Sequence, residues 1–148
     1  MFIKLHHVGI VSKSLEEDRQ LYCSALGLPA GAIYDLPSEE VRIMEVPVGE
    51  EGIGESPSDW HRVYQSSHLE INQPTVPGSG IARYMEKWGE GLHHLAIETD
   101  SIEEDVERLK QQGLQLIGPI SGSKGIKVAW FHPKSARGVL IELWQNPK

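Results

Sequence analysis

The amino-acid sequence predicts an α+β fold of two βαβββ repeats, which together form one curved, mixed sheet around a cleft. The first observation is an internal repeat, because the segment Leu5–Ile10 recurs 87 positions later as Leu92–Ile97. Of the fourteen positions that begin at Leu5, eight carry the same residue in both copies. The second observation is that a helix signal and several short strand-like segments follow each copy. The order of elements is therefore predicted to be the same in both halves.

The first repeat is expected to span about residues 1–78. Its opening segment, Phe2–Val11, is apolar at most positions and is predicted to be a strand. Ser14 and Glu17 have the spacing of a capping box and predict the start of a helix, which Gly27 ends. Three further strands are predicted at 31–35, 40–47 and 68–72. One long loop that is rich in Gly and Glu is predicted at 49–67.

The second repeat, at about residues 90–148, follows a short predicted helix at 80–88. It begins with a strand at Gly91–Thr99, and Ser101 and Glu104 again predict a capped helix, which ends at Gly113. Further strands are predicted at 114–117, 126–131 and 139–144. An open four-stranded sheet cannot bury both of its faces alone. The two repeats are therefore expected to combine into a single domain that covers residues 1–148.

Composition excludes several classes of partner. The net charge of −7 and the absence of a basic stripe argue against a nucleic-acid ligand. No apolar run approaches the ~20 residues of a membrane-spanning helix, and the N-terminus lacks a signal-peptide pattern, so a cytoplasmic location is expected. The single cysteine, Cys23, excludes an internal disulfide and is expected to be a buried, inert thiol.

The alternation of side chains along a strand predicts which of the repeated histidines face the cleft. Val8 and Ile10 form the more continuous apolar set of the first strand and are expected to pack beneath the helix. His7 then faces the cleft, and His94 does so in the second copy. The neighbouring histidines, His6 and His93, are expected to have structural or surface roles.

Each repeat also places one glutamate on its last strand. Glu70 alternates with apolar neighbours in the first repeat, and Glu142 does so in the second, so both carboxylates are predicted to face the cleft. The two glutamates lie 72 rather than 87 positions apart, and the long loop at 49–67 accounts for the difference.

Two imidazoles and two carboxylates form a ligand set that suits a divalent transition metal. The predicted ligands are His7, Glu70, His94 and Glu142. In an octahedral arrangement these four residues leave two positions for water or a bidentate substrate. Cobalt, nickel, zinc, manganese and iron all fit this set of ligands, and the sequence does not choose among them.

The chain resembles the vicinal oxygen chelate superfamily, which includes glyoxalase I, extradiol dioxygenases, bleomycin-resistance proteins and methylmalonyl-CoA epimerases. The resemblance covers nearly the whole chain and is strongest to the epimerases. It rests on the double-His strand, on the run from Gly89 to Ile97, and on the His132-Pro133-Lys134-Ser135 turn followed by 138–143. The family's metal ligands fall on the four residues that the repeat had already selected.

The resemblance implies a proton transfer at C2 of a methylmalonyl-type acyl-CoA, with a metal-stabilised enolate and a homodimeric enzyme. It implies that Glu142 is a catalytic acid or base as well as a ligand. Some epimerases carry a second catalytic glutamate on the third strand, where the alignment places Arg42 in this chain. Glu45 is nearby, on the opposite face of that strand from Arg42, and is the candidate for this second role.

Two alternatives remain open. One is another enzyme on the same scaffold, either a glyoxalase I-type isomerase or lyase, or an iron dioxygenase that uses two histidines and one carboxylate. The other is a drug-binding resistance protein without catalysis. A binding protein needs no metal, so the presence of two histidines and two glutamates at cleft-facing positions disfavours it.

Overall fold

The computed structural model describes residues 1–49 and 66–147, so nearly all of the predicted loop at 49–67 lies outside the described residues. The described strands are β1 (Phe2–Val11), β2 (Ile33–Leu36), β3 (Val41–Pro47), β4 (His68–Pro74), β5 (Gly91–Thr99), β6 (Leu116–Ser121), β7 (Lys127–Phe131) and β8 (Ile141–Gln145). The helices are α1 (Leu15–Arg19), which continues as a π-helical segment (Gln20–Ala25), α2 (Gly80–Trp88) and α3 (Ile102–Gln111).

The order of these elements confirms the predicted fold class. Each repeat consists of a strand, a helix and three further strands, with α2 between the repeats. Hydrogen bonds join the described strands in the order β2-β3-β4-β1-β5-β8-β7-β6. The sheet is mixed, because β5 and β8 are parallel while the pairs within β2-β3-β4 and β6-β7-β8 are antiparallel.

The chain divides into two compact units. Unit one combines Met1–His7 with His94–Lys148, and unit two is Val8–His93. The core of unit two lies between α1 and one face of its sheet, where Val8 and Ile10 pack as the side-chain alternation predicted. Its buried members are Ile10, Leu15, Met44, Val46 and Ile71.

The core of unit one lies between α3 and strands β6, β7 and β8. Its buried members are Ile102, Val106, Ala129, Phe131 and Leu143, with Ile141 packed against them. Burial of each larger aliphatic or aromatic side chain contributes about 1.5–3 kcal/mol. Since Ile141 and Leu143 both face this core, strand alternation turns Glu142 to the other side of β8. Among the described residues, no helix has the length and apolar content needed to cross a membrane.

Only the first predicted helix cap forms through its serine side chain. Ser14 Oγ accepts a hydrogen bond from the Glu17 N–H at 3.3 Å, while the Ser14 N–H bonds to Ser12 Oγ rather than to Glu17. Ser101 occupies the N-cap of α3 without a side-chain capping bond, so the predicted second capping box is wrong. Gln145 Oε1 replaces it and accepts from the Ile102 N–H at 2.7 Å.

Asp105 is a buried carboxylate in the first turn of α3. The Thr99 hydroxyl donates a hydrogen bond to it, and so does the guanidinium of Arg108, whose Nε lies 3.2 Å from Asp105 Oδ1. Burial has the largest single effect and alone would raise the pKa of Asp105. These hydrogen bonds and the N-terminal ammonium of Met1, which lies 3.4 Å from Asp105 Oδ2, together lower the pKa below its ordinary value. The ionised form of Asp105 therefore stabilises the folded chain.

Replacing Asp105 with asparagine is expected to lower the free energy of unfolding at neutral pH by about 1.5–3 kcal/mol, the range for hydrogen bonds to a charged group. Because the folded-state pKa is depressed, this stabilisation is complete above the ordinary aspartate pKa of about 3.9 and is lost as the pH falls through the folded-state value. Urea unfolding of both proteins between pH 3 and pH 7 tests this expectation. A difference between them that does not shrink toward low pH would contradict it.

Candidate metal centre

Three of the four predicted metal ligands meet in unit one. His7 lies on β1, His94 on β5 and Glu142 on β8, and all three side chains are buried. The two Nε2 atoms of the histidines are 2.9 Å apart. Glu142 Oε2 lies 3.1 Å from Nε2 of His7 and 3.5 Å from Nε2 of His94. Two imidazole nitrogens and one carboxylate oxygen therefore converge on one point.

These separations fit the coordination shell of a divalent transition metal. Bonds of about 2.0–2.2 Å place ligand atoms about 3.0 Å apart at right angles and about 3.4 Å apart at tetrahedral angles. The three measured separations, 2.9, 3.1 and 3.5 Å, span this range. The donor set of two imidazoles and one carboxylate also suits such an ion. His7, His94 and Glu142 could therefore hold one metal ion.

The register of the strands explains why these side chains meet. Ala96 pairs with Glu142 across the parallel strands β5 and β8. His94 lies two residues before Ala96, so its side chain is on the same face of the sheet as Glu142. Trp130 pairs with Glu142 on the other side, and its indole packs edge-on against His94 with ring centroids 4.9 Å apart. Trp144 contacts His7 in the same manner at 5.6 Å. Two indoles thus flank the histidines.

His6 is fully buried beside this cluster, which excludes the surface role and leaves the structural role expected for it. Its ring stacks on the Trp144 indole, with centroids 4.6 Å apart and planes inclined by 18°. Its Nδ1 lies 2.8 Å from Nδ1 of His7, the ring nitrogen that faces away from the converging Nε2 atoms.

Glu70, the fourth predicted ligand, belongs to unit two. It pairs directly with Glu45 across β3 and β4, so the two carboxylates share one face of the sheet. Asn72 Nδ2 donates a hydrogen bond to Glu70 Oε1 at 3.1 Å. Glu45 is fully buried, and the Tyr34 hydroxyl donates to its Oε1 at 2.7 Å.

Arg42 lies on the opposite face of β3 from Glu45. Its side chain is exposed and pairs with Asp35, its register partner on β2, at 2.9 Å. Of the two residues considered on this strand, Glu45 is the buried one.

His93 also differs in environment from the converging histidines. Burial lowers the pKa of His93, and the negative charge of Glu70 partly opposes that shift. Tyr84 packs edge-on against the His93 ring with centroids 4.4 Å apart. The structure thus gives His93 a packing role within unit two.

The chain has recognisable relatives among known proteins. A model of the Glyoxalase/Bleomycin resistance protein/Dioxygenase superfamily matches residues 6–130. The chain belongs to this superfamily. Among the curated members of the superfamily, the ethylmalonyl-CoA/methylmalonyl-CoA epimerase of Cereibacter sphaeroides is 30% identical over 149 residues, which cover 98% of this chain and 99% of that protein.

Solved structures of other proteins share this fold. A hypothetical protein from Bacillus halodurans superimposes with a TM-score of 0.81 and 36% identity, covering 98% of this chain and 95% of that one. A methylmalonyl-CoA epimerase in complex with methylmalonyl-CoA superimposes with a TM-score of 0.80 and 24% identity, covering 99% and 96% of the two chains. The vicinal oxygen chelate fold expected from the resemblance is therefore confirmed.

Proposed function

We propose that this protein is a divalent-metal-dependent epimerase that moves the C2 proton of a methylmalonyl-type acyl-CoA. The observation that carries the proposal is the convergence of His7, His94 and Glu142, whose ligand atoms lie within 3.5 Å of one another. Support for the reaction class comes from the epimerase of C. sphaeroides, to which nearly the full length of this chain is similar. Glu70 is proposed as the fourth ligand.

The proposed reaction needs one group to remove the C2 proton and another to return it on the opposite face. When bound, the metal supplies positive charge that stabilises the negative charge developing on the thioester oxygen. Glu142 is proposed to move one proton, because its carboxylate lies in the cluster. The other role is assigned to Glu45, whose buried carboxylate the Tyr34 hydroxyl holds in one orientation.

Deuterium exchange tests the proposal directly. The metal-loaded protein is incubated with methylmalonyl-CoA in deuterium oxide, and proton NMR follows the loss of the C2 signal. We expect fast exchange that a chelator stops and that is lost in His94→Ala, because this variant removes one of the converging nitrogens. His132→Ala is the matched control, since it removes the imidazole that caps the turn Pro133–Ser135, outside the cluster.

The outcomes separate the candidate functions. Exchange no faster in the native protein than in His94→Ala would overturn the epimerase assignment. Metal content measured on the same samples would then distinguish another metal enzyme of the superfamily from a binding protein. The proposed homodimer stays a prediction that size-exclusion chromatography with light scattering can test.

A further inference from the structure

We infer that His6 is a positioning residue for the proposed metal site, because its ring accepts the N–H of His7 and thereby fixes which nitrogen His7 offers to the ion. The inference rests on the proposed metal centre and assigns a role to a residue that does not bind the metal itself. It follows from the contact between the two rings and from the way His6 is held.

The contact joins the nitrogens that point away from the cluster. Nδ1 of His6 and Nδ1 of His7 are 2.8 Å apart, a hydrogen-bond distance, and both side chains are buried. A hydrogen bond between two ring nitrogens needs one donor and one acceptor. A hydrogen bond between these two rings therefore places a single proton between them.

Metal binding through Nε2 of His7 determines which of the two rings donates that proton. His7 can bind a metal through Nε2 only when Nε2 is unprotonated, so a neutral His7 carries its proton on Nδ1. His6 must then accept at Nδ1 and carry its own proton on Nε2. The reverse arrangement would place a proton on Nε2 of His7, directed at the cluster, and would block the ion. Such outer partners of metal-binding histidines typically fix the tautomer and the ring orientation.

A chain of contacts within unit one holds His6 in place. Its ring stacks on the indole of Trp144, whose Nε1–H donates to Asn146 Oδ1 at 2.9 Å. Asn146 Nδ2 in turn donates to Glu98 Oε1 at 3.1 Å, and Lys4 Nζ lies 3.4 Å from Glu98 Oε2. His6 therefore packs on an indole that a polar network holds in place, and its ring is not a loose side chain.

Two substitutions separate hydrogen bonding from packing. His6→Phe keeps an aromatic ring for stacking on Trp144 but removes the acceptor, whereas His6→Asn keeps a short polar acceptor and removes the ring. Zinc affinity of the full-length protein is measured by competition with a chromophoric chelator. We expect His6→Phe to bind zinc roughly 10- to 100-fold more weakly, the usual effect of losing such a partner, and His6→Asn to stay near the native affinity.

The zinc-loaded native protein gives a second readout that needs no variant. Long-range nitrogen–proton NMR is expected to show His7 protonated at Nδ1 and a scalar coupling between its Nδ1 and that of His6. Unchanged zinc affinity in a folded His6→Phe, or a proton on His6 Nδ1 rather than His7 Nδ1, would overturn the inference while leaving the metal centre intact. Failure of the native protein to bind zinc or any of the four other ions that the ligand set suits would overturn the metal centre and the inference together.

Discussion

Replacing Glu142 with glutamine is expected to lower the rate of metal-dependent C2 proton exchange by roughly 10²- to 10⁴-fold, the usual contribution of a general acid or base. The substitution removes the negative charge that faces Nε2 of both His7 and His94. It also removes the proposed proton-transferring group while keeping nearly the same side-chain volume. Because the apolar neighbours of Glu142 on β8 face the core on the other side, the fold is expected to persist.

NMR in deuterium oxide measures this loss, and a thermal unfolding curve confirms that the variant is folded. Glu107→Gln is the matched control, because Glu107 is an exposed glutamate on α3 that pairs with Lys110. Exchange that stays within a few-fold of the native rate in Glu142→Gln would remove Glu142 from the reaction. Zinc affinity measured on the same variant separates its role as a ligand from its role as an acid or base.

Replacing Glu45 with glutamine is expected to lower the rate of epimerisation by roughly 10²- to 10⁴-fold while leaving one epimer able to exchange its C2 proton with solvent. In the proposed reaction two acid–base groups act on opposite faces of the substrate, so loss of one group prevents inversion. The remaining group can still remove and return the proton on its own face. The buried contact with Tyr34 is expected to hold the carboxylate of Glu45 in place for this role.

The measurement pairs polarimetry or chiral separation with proton NMR, starting from each epimer in turn. Arg42→Gln is the control on the same strand, since its exposed side chain lies on the opposite face of β3. Equal loss of exchange from both epimers would show that Glu45 is not one of two separate acid–base groups. Full epimerisation activity would exclude Glu45 from the reaction altogether.

The strands of the fold, and with them three residues of the centre, could be predicted because strand geometry is strict. Side chains alternate with a period of two, so a repeated double histidine leaves few choices for which ring faces the cleft. The internal repeat and that alternation together selected His7, His94 and Glu142. The association of Glu70 with the same ion stays a prediction, since Glu70 belongs to the other unit.

Features that depend on distant partners could not be predicted. The role of His6 depends on stacking against Trp144, which lies 138 positions away along the chain. Ser101 has the sequence context of a helix cap, yet Gln145 supplies the capping oxygen from the end of β8. Local patterns carry no information on such contacts, because they form only after the strands have paired.

The order in which the ligands occur along the chain has a consequence for folding. His7, His94 and Glu142 are separated by 87 and 48 positions, so two long chain loops must close before the three ligand atoms meet. Closing such loops costs about 4 and 3 kcal/mol of chain entropy, and the unfolded chain therefore offers no preformed site. An ion that binds only the folded chain stabilises it by about 2.7 kcal/mol at a hundredfold excess over its dissociation constant. Metal supply would then set how much of this chain stays folded as well as how fast it turns over its substrate.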